Sequence, residues 1–294
     1  SSATNRPFCG VFTTELSKMA KRIAFQGELG AYSHQACAQS RPDYEPIPCT
    51  TFDEVVEKTR SGEVELGMLA VENSTYGRVA DVHALLPKSG LHIVDESFLR
   101  VHVNLLGVKG AQLADVTEAH GHVVILPQCA GFLKANGITG KVNSDNARAA
   151  REVAQAGLVS RAALASELAA EIYGLDVLAR KIEDNANNTT RFLVMSREAD
   201  LTRRSDDMIT TFTFRVRNIP AALYKAMGGF ATNSVNMTKL ESYMVGGSFT
   251  ATEFYADIEG HPEDANVKLA LEELAYFTTQ VQILGVYPSD RARG

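Results

Sequence analysis

Two patterns of apolar and polar positions alternate along most of the chain. Short apolar runs that favour β-strands are followed by stretches with the three- to four-residue spacing of amphipathic helices. In the first 198 residues the predicted strands lie at 22–25, 64–71, 101–108, 123–126 and 191–195. The predicted helices lie at 33–38, 51–58, 78–86, 128–135, 147–156 and 166–173. Strands that alternate with helices indicate a mainly parallel sheet, or two such sheets with a cleft between them.

A charged stretch without periodicity follows, in which we place a linker at residues 199–207. The pattern beyond the linker is different. Predicted strands lie at 209–216, 235–240, 248–258 and 281–286, and predicted helices at 220–228 and 264–278. This β-α-β-β-α-β order is the ferredoxin-like motif. The chain therefore divides into a unit of about 180 residues and a smaller C-terminal unit, sizes that fit ordinary domains.

Composition excludes several classes of protein. Apolar residues make up 45% and charged residues 22% of the 294 positions, as in a globular protein with a sizeable core. The net charge is -6, and no run rich in lysine or arginine suggests nucleic acid as a partner. No apolar stretch is long enough to span a bilayer. Residues 1–18 make a poor signal peptide, and we expect residues 1–20 to be a flexible extension.

The four cysteines are Cys9, Cys37, Cys49 and Cys129, far apart and without histidine at ligand spacing. Neither a disulfide framework nor a zinc site is favoured by this spacing. We expect reduced, buried thiols in a cytoplasmic protein. No metal and no cofactor is predicted.

Three polar clusters follow or precede predicted strands. Residues 27–33 form a glycine-containing turn before a helix, where backbone N–H groups could hold an anion. Residues 72–78 follow a strand, and ligands of open α/β folds bind at such carboxyl ends. An ordinary strand–helix turn and a helix-capping loop are the structural alternatives for these two clusters. Both alternatives remain open on the sequence alone.

The third cluster is the stretch NNTT at residues 187–190, directly before an apolar strand. Such a run usually forms a turn, because these side chains bond to nearby backbone groups. Thr190 and Phe192 should share one face of the strand, while Arg191 points the other way and braces the structure. The clusters contain no nucleophile–histidine–carboxylate set and no phosphate loop. They favour a site of hydroxyl, amide and backbone donors for a small polar anion.

These clusters resemble those of prephenate dehydratases. Residues 182–192 are similar to the Asp…Asn-x-Thr-Arg-Phe signature of that family, and residues 70–74 to its Glu-Asn-Ser segment. Residues 27–33 resemble its glycine-rich opening and residues 127–128 its Pro-Gln pair. Asn146 stands where the family often has threonine, which should alter a contact without removing the site. The resemblance covers nearly everything after residue 20.

The resemblance implies a two-lobed α/β catalytic domain of the periplasmic-binding-protein type, with the substrate between the lobes, plus a ferredoxin-like ACT regulatory domain. The expected bounds are 21–198 for the catalytic domain and 208–290 for the ACT domain. One lobe would comprise 21–98 with 179–198, and the other 99–178. A homodimer or homotetramer is implied as well.

The implied activity is the conversion of prephenate into phenylpyruvate on the route to phenylalanine. In this reaction Thr190 would stabilise the departing hydroxide, and Glu72 would be either a proton source or a brace. The expected substrate contacts are Ser33, Asn73, Ser74, Gln128, Asn146, Asn188, Arg191 and Phe192.

The ACT resemblance implies control by phenylalanine. The expected effector contacts are Asn218, Ala221, Ala222, Leu223, Glu241, Ser242 and Tyr243. Two positions depart from the family pattern: alanine replaces glycine at Ala221, and Tyr-Met replaces Arg-Pro at residues 243–244. Which amino acid acts there stays open, as does a dimerisation module without a ligand. Arogenate dehydratase is the nearest alternative activity, and a non-catalytic sensor of small molecules is an alternative from another class.

Overall fold

The structure is a computed structural model that describes residues 21–244 and 251–293. Its strands are β1 Arg22–Gln26, β2 Glu45–Cys49, β3 Leu66–Asn73, β4 Gly77–Arg78, β5 His92–Arg100, β6 Asn104–Gly107, β7 Glu118–His122, β8 Thr139–Asn143, β9 Arg161–Ala165, β10 Asp176–Ala179, β11 Thr189–Ser196, β12 Met208–Arg215, β13 Met237–Met244, β14 Ala251–Glu259 and β15 Gln280–Pro288. Its α-helices are α1 Tyr32–Ser40, α2 Phe52–Ser61, α3 Ala80–Leu85, α4 Ala130–Ala135, α5 Asn146–Ala156, α6 Glu167–Tyr173, α7 Ala222–Thr232 and α8 Ala265–Phe277.

Two sheets organise these elements. The first follows the order β13-β14-β12-β15-β5-β11-β3-β1-β2, with β4 paired to β3, and the second follows β10-β6-β9-β7-β8. We call β1–β5 with β11 the first lobe, β6–β10 the second lobe, and β12–β15 with α7 and α8 the C-terminal unit. Among the described residues, no helix has the length and apolar character that crossing a membrane would require.

The first lobe is built on the apolar run that the sequence places after the NNTT stretch. Residues Phe192, Leu193, Val194 and Met195 are all buried, because β11 lies between β3 and β5 with both of its faces covered. Parallel and antiparallel neighbours meet here: β1 pairs parallel with β2 and β3, and β11 pairs antiparallel with β3 and β5. The prediction of a buried strand at 191–195 is confirmed.

The C-terminal unit has the predicted β-α-β-β-α-β order, and its strands lie as β15-β12-β14-β13 with antiparallel neighbours. Its sheet continues into the first lobe where β15 pairs with β5 at Gly285 and Ile93. A Cβ atom on Gly285 would collide with the Ile93 backbone, so only glycine permits this approach.

The strand predicted at residues 123–126 is wrong. The strand in this region is β7, which ends at His122, directly before the predicted one. Leu126–Cys129 form a 3-10 helix. Val123 is 55% exposed, so part of that apolar run does not enter a core. β7 itself reads EAHGH, and only its small residues Ala119 and Gly121 are buried. A strand of polar and small residues gives no hydrophobic signal, which explains the error.

Five more strands were not predicted: β2, β4, β8, β9 and β10. The same holds for β5, whose nine residues read HIVDESFLR. β2 contains Pro46 and Pro48, which remove ladder donors and suit its position at the edge of the sheet.

The chain passes from the first lobe to the second between Arg100 and Asn104, and returns between Ala179 and Thr189. Leu99 and Arg100 thus pair in the first sheet and Ala179 in the second, which differs slightly from the expected lobe bounds. The extension at residues 1–20 lies outside the described residues.

The three cysteines within the described residues, Cys37, Cys49 and Cys129, are free and buried, as predicted. Cys9 lies outside the described part of the chain.

Candidate active site

Three segments meet at one edge of the first sheet. Since β3 runs parallel to β1 and antiparallel to β11, the ends of β1 and β3 and the start of β11 lie side by side. These are the positions of the three polar clusters. The second lobe faces this edge: the Tyr32 hydroxyl donates to the His102 carbonyl at 3.1 Å, and the Ser166 hydroxyl to the Gly30 carbonyl at 2.6 Å. The cleft between the lobes therefore contains all three clusters.

A chain of side-chain amides leads across the cleft to Thr190. Asn73 and Thr190 are opposite each other in the β3–β11 pair. Asn73 Nδ2 donates to Thr190 Oγ1 at 2.9 Å and to Asn188 Oδ1 at 2.6 Å. Asn188 Nδ2 donates to Gln128 Oε1 at 2.5 Å, and Gln128 belongs to the second lobe. The structure thus brings together four residues that the sequence singled out.

The loop after β3 is held to the segment before β11. The Ser74 hydroxyl donates to the Asn187 carbonyl at 2.7 Å and accepts from the Thr189 N–H at 2.9 Å. The Tyr76 hydroxyl reaches the second lobe and donates to the Val124 carbonyl at 2.7 Å. Val124 lies in the turn after β7, which leaves its carbonyl free to accept across the cleft.

Two expected contacts lie further along the cleft. Asn146 is the first residue of α5, and its Oδ1 accepts from the His122 N–H at the end of β7 at 2.8 Å. Its side chain is thereby fixed beside Gly121. Ser33 lies in the first turn of α1, half-buried, on the β1 side of the cleft. Neither residue is hydrogen-bonded to the amide chain in the described part of the molecule.

Glu72 points away from the cleft. Its carboxylate pairs with Lys239 of β13 and lies 3.2 Å from Arg191 Nη1. Burial alone would raise its pKa, but the hydrogen bond and charge of Lys239, together with Arg191, outweigh burial and hold the pKa below its usual range. A carboxyl kept ionised cannot serve as a proton source. Of the two roles considered for Glu72, the geometry favours the brace.

Arg191 also lies on the opposite face from Thr190, and its side chain is 2% exposed. Its Nε lies 2.8 Å from Glu96 Oε2 and its Nη1 2.8 Å from Asp257 Oδ2. Arg191 is therefore not placed to contact a substrate in the cleft. Its ion pairs fit the bracing role. Phe192 is buried in the core of the first lobe beside Phe25. Its side chain therefore does not reach the cleft as the expected substrate contact would require.

The expected effector residues on β13 contact the first lobe. Arg78 Nη1 lies 3.2 Å from Glu241 Oε2 and 3.1 Å from the Ser242 carbonyl. Burial lowers the pKa of His83 to about 4, so the ring is neutral. Its Nε2 donates to the Val71 carbonyl at 3.2 Å, and its Nδ1 accepts from the Tyr243 hydroxyl at 2.7 Å.

The remaining effector candidates, Asn218, Ala221, Ala222 and Leu223, lie in the turn before α7 and in its first turn. Ala221 has a φ of 61°, a left-handed conformation that favours glycine. This turn follows β12, whose last residue Arg215 pairs with Glu253, which in turn pairs with Tyr243. The two groups therefore share one end of the C-terminal sheet.

A cavity of about 570 Å³ opens in the cleft beside β1. It is lined by Glu28 and by Arg148 and Arg151 of α5. Arg148 Nε lies 2.7 Å from Glu28 Oε1, and Arg151 Nη1 lies 3.2 Å from Glu28 Oε2. Asp145 also lines the cavity, so two carboxylates balance the two guanidinium groups there. These arginines were not among the predicted site residues, because charged positions on an amphipathic helix are ordinarily solvated.

Comparisons with known proteins agree with this geometry. Residues 23–200 match the family model described as prephenate dehydratase. A bifunctional N-acyl-homoserine lactone acylase/prephenate dehydratase of Komagataeibacter europaeus is 50% identical over 92% of this chain and 97% of its own. The arogenate dehydratase/prephenate dehydratase 1 of Arabidopsis thaliana is 36% identical over 92% of this chain and 73% of its own.

A solved prephenate dehydratase of Arthrobacter aurescens, in complex with L-Phe, superposes with a TM-score of 0.83 at 28% identity. The match covers 91% of this chain and 90% of that one. Because it includes both lobes and the C-terminal unit, the predicted fold class is confirmed.

Proposed function

The chain belongs to the prephenate dehydratase family, and from this premise we propose that it converts prephenate into phenylpyruvate with Thr190 as the donor to the leaving group. The observation that carries this role is the position of Thr190 at the cleft edge, with its oxygen held by Asn73. Glu72 and Arg191, the charged residues nearest to it in the motifs, are bound to each other and to the C-terminal unit.

The reaction needs little acid–base chemistry. The bond from the ring to its carboxylate breaks and its electron pair enters the ring, while the ring C–O bond breaks and its pair leaves with hydroxide. Aromatisation drives both changes, so the main task is to stabilise the growing charge on oxygen. A threonine hydroxyl that donates a hydrogen bond suits this task, whereas it is too weak an acid for full proton transfer.

The substrate carries two carboxylates and one keto group. For these we propose the free donors of Ser33 and Asn146 at the cleft, with the guanidinium N–H groups of Arg148 and Arg151 at its β1 end. The Ser74 hydroxyl is already bonded to the Asn187 carbonyl, and Gln128 belongs to the amide chain. Asn188 is buried within the amide chain. This burial favours a role in holding the chain in place over a direct contact with the substrate.

Substrate choice is tested by measuring kcat/KM of the purified protein with prephenate and with arogenate. We expect prephenate to be the better substrate, because the cleft donors suit a keto oxygen and an arogenate ammonium group requires acceptors. A higher kcat/KM with arogenate would reverse the assignment. Binding of either compound without turnover would favour a sensor.

For regulation we propose an ACT domain at 208–290 that takes phenylalanine. The L-Phe complex of the Arthrobacter relative supports this effector. The contacts of Glu241 and Tyr243 with Arg78 and His83 give the C-terminal unit a direct connection to the loop after β3. We also propose a cytoplasmic homodimer or homotetramer.

Millimolar phenylalanine should lower the rate of phenylpyruvate formation. It should also shift the oligomer equilibrium, which analytical ultracentrifugation would show as a higher sedimentation coefficient or a narrower distribution of sedimentation coefficients. The expected coupling is about 1–3 kcal/mol, a shift in apparent affinity of roughly 5–150-fold. Tyr243→Phe should keep turnover but weaken this coupling, because the hydrogen bond to His83 is lost. Equal rates with and without phenylalanine would leave the unit as a dimerisation module.

A second activity is favoured by the 50% identity with the bifunctional Komagataeibacter relative. Hydrolysis of an N-acyl-homoserine lactone adds water across its amide and releases a fatty acid and homoserine lactone. We expect mass spectrometry to detect free homoserine lactone after incubation of the protein with a medium-chain substrate. If Thr190→Ala keeps this activity while losing the dehydratase, the two reactions use different groups. No release above a heat-denatured control would exclude the acylase.

A further inference from the structure

We propose that Asn73 is a positioning residue, which holds the oxygen of Thr190 so that its hydroxyl hydrogen is left for the departing hydroxide. Gln128 of the second lobe would fix this arrangement across the cleft. The inference rests on the proposed function and changes the expected role of Asn73 from a substrate contact to a group that acts through Thr190.

The hydrogen-bonding capacity of Asn73 is already filled. An asparagine amide has two N–H donors and an oxygen with two lone pairs. Both donors are used, by Asn188 and Thr190, and the oxygen accepts from the backbone N–H groups of Thr75 at 2.9 Å and Tyr76 at 3.1 Å. An amide with four partners inside the protein has nothing left for a substrate.

The direction of every hydrogen bond in the chain is fixed by backbone groups at its two ends. At one end the Val124 carbonyl only accepts, so Gln128 must turn its Nε2 toward it, at 2.9 Å. Gln128 Oε1 then faces Asn188 Nδ2, and Asn188 Oδ1 faces Asn73 Nδ2. At the other end two backbone N–H groups require the Asn73 oxygen. The backbone groups at both ends of the chain therefore require that Asn73 Nδ2 faces Thr190 Oγ1.

The oxygen of Thr190 accepts from Asn73, and within the described residues the Thr190 hydroxyl hydrogen has no protein acceptor. The hydroxyl is therefore a donor toward the cleft, the polarity needed when charge grows on a leaving oxygen. Because Gln128 and Val124 belong to the second lobe, the chain of amides is complete only when the lobes are together.

The isosteric change Asn73→Asp tests the polarity. An aspartate keeps the two backbone N–H bonds but offers Thr190 an acceptor, so the Thr190 hydrogen turns toward it. We expect kcat to fall by about 10²–10³-fold, as when an oxyanion donor is removed, with little change in KM. Gln39→Glu, on the exposed face of α1, is the matched control and should keep wild-type kcat and KM.

A double-mutant cycle separates positioning from substrate contact. If Asn73 acts through Thr190, adding Asn73→Asp to Thr190→Ala should cause no further loss of kcat. Losses that multiply, or a raised KM with an unchanged kcat, would overturn the proposal. Should Asn73→Asp not fold by circular dichroism, Gln128→Glu takes its place, with a loss of up to about tenfold that disappears in the Thr190→Ala background.

A readout without turnover keeps the two proposals separate. The side-chain amide protons of Asn73, followed by NMR, should exchange slowly in the wild type, and one of them should exchange faster in Thr190→Val. Unchanged exchange would refute the bond to Thr190 even if no substrate is turned over. An active wild type with additive variants would refute the positioning role alone, and a wild type inactive on prephenate and arogenate would refute the proposed function.

Discussion

Replacement of Arg191 by leucine is expected to cost about 3–5 kcal/mol of the free energy of unfolding, the loss typical when one partner leaves a buried ion cluster. Arg191 and Arg293 face Glu96 and Asp257, two carboxylates with fully buried side chains. In the variant one negative charge lacks a cation. Leucine fills the space of the stem but cannot neutralise that charge.

The cluster also joins two parts of the molecule. Glu96 lies on β5 of the first lobe, whereas Asp257 lies on β14 of the C-terminal unit. Tyr287 of β15 adds a hydroxyl that accepts from Arg191 Nη2 at 2.9 Å. The variant should therefore weaken the attachment of the C-terminal unit as well as the stability of the whole.

Urea unfolding followed by circular dichroism measures the effect. Arg60→Leu is the matched control, since Arg60 forms an exposed ion pair with Glu57 on α2 and such pairs contribute about 0–1 kcal/mol. Equal small losses in both variants would contradict the role of Arg191.

Acid should weaken the same cluster. Burial alone would raise the pKa of Asp257, but Arg191 and the Thr211 hydroxyl overcome burial and hold the pKa below its ordinary value of 3.8. A lowered pKa in the folded state stabilises the protein above pH 3.8, and this contribution is lost as the pH falls through the folded-state value.

Thr190→Ala is expected to lower kcat by about 10²–10³-fold while KM and the fold change little. The alanine removes the one hydroxyl that we assign to the departing oxygen, and the carboxylate contacts at the cleft remain. Thr190→Ser keeps a hydroxyl and should retain most of the activity.

Thr189→Ala is a matched control, because neighbouring residues of a strand face opposite sides. Thr189 lines a cavity of about 360 Å³ together with Arg191 and with Glu241 of the C-terminal unit. A loss of kcat in Thr189→Ala as large as in Thr190→Ala would show that the effect comes from disturbing β11.

Local pattern was enough to predict much of the fold. The apolar run after NNTT, the β-α-β-β-α-β order and the positions of the polar clusters at strand ends all follow from short-range periodicity. β7 could not be predicted, because its polar and small residues are covered by neighbours that are distant in sequence. β2 was not predicted either, because its two prolines argue against a strand in the sequence pattern although they are tolerated at a sheet edge.

The roles within the site depended on long-range partners. Strand alternation already places Arg191 opposite Thr190, but its partners Glu96 and Asp257 lie 95 and 66 residues away. Glu72 resembles a catalytic carboxyl until Lys239, 167 residues further on, is placed beside it. Side-chain chemistry in a motif thus suggests candidates, and their partners decide between catalysis and bracing.

The most direct test is the formation of phenylpyruvate from prephenate, followed by ultraviolet absorbance with wild type and Thr190→Ala purified side by side. Turnover by the wild type and a loss of at least about 10²-fold in the variant is the predicted result. No phenylpyruvate from the wild type, or equal rates for the two proteins, would contradict the assignment of Thr190 as the donor to the leaving hydroxide.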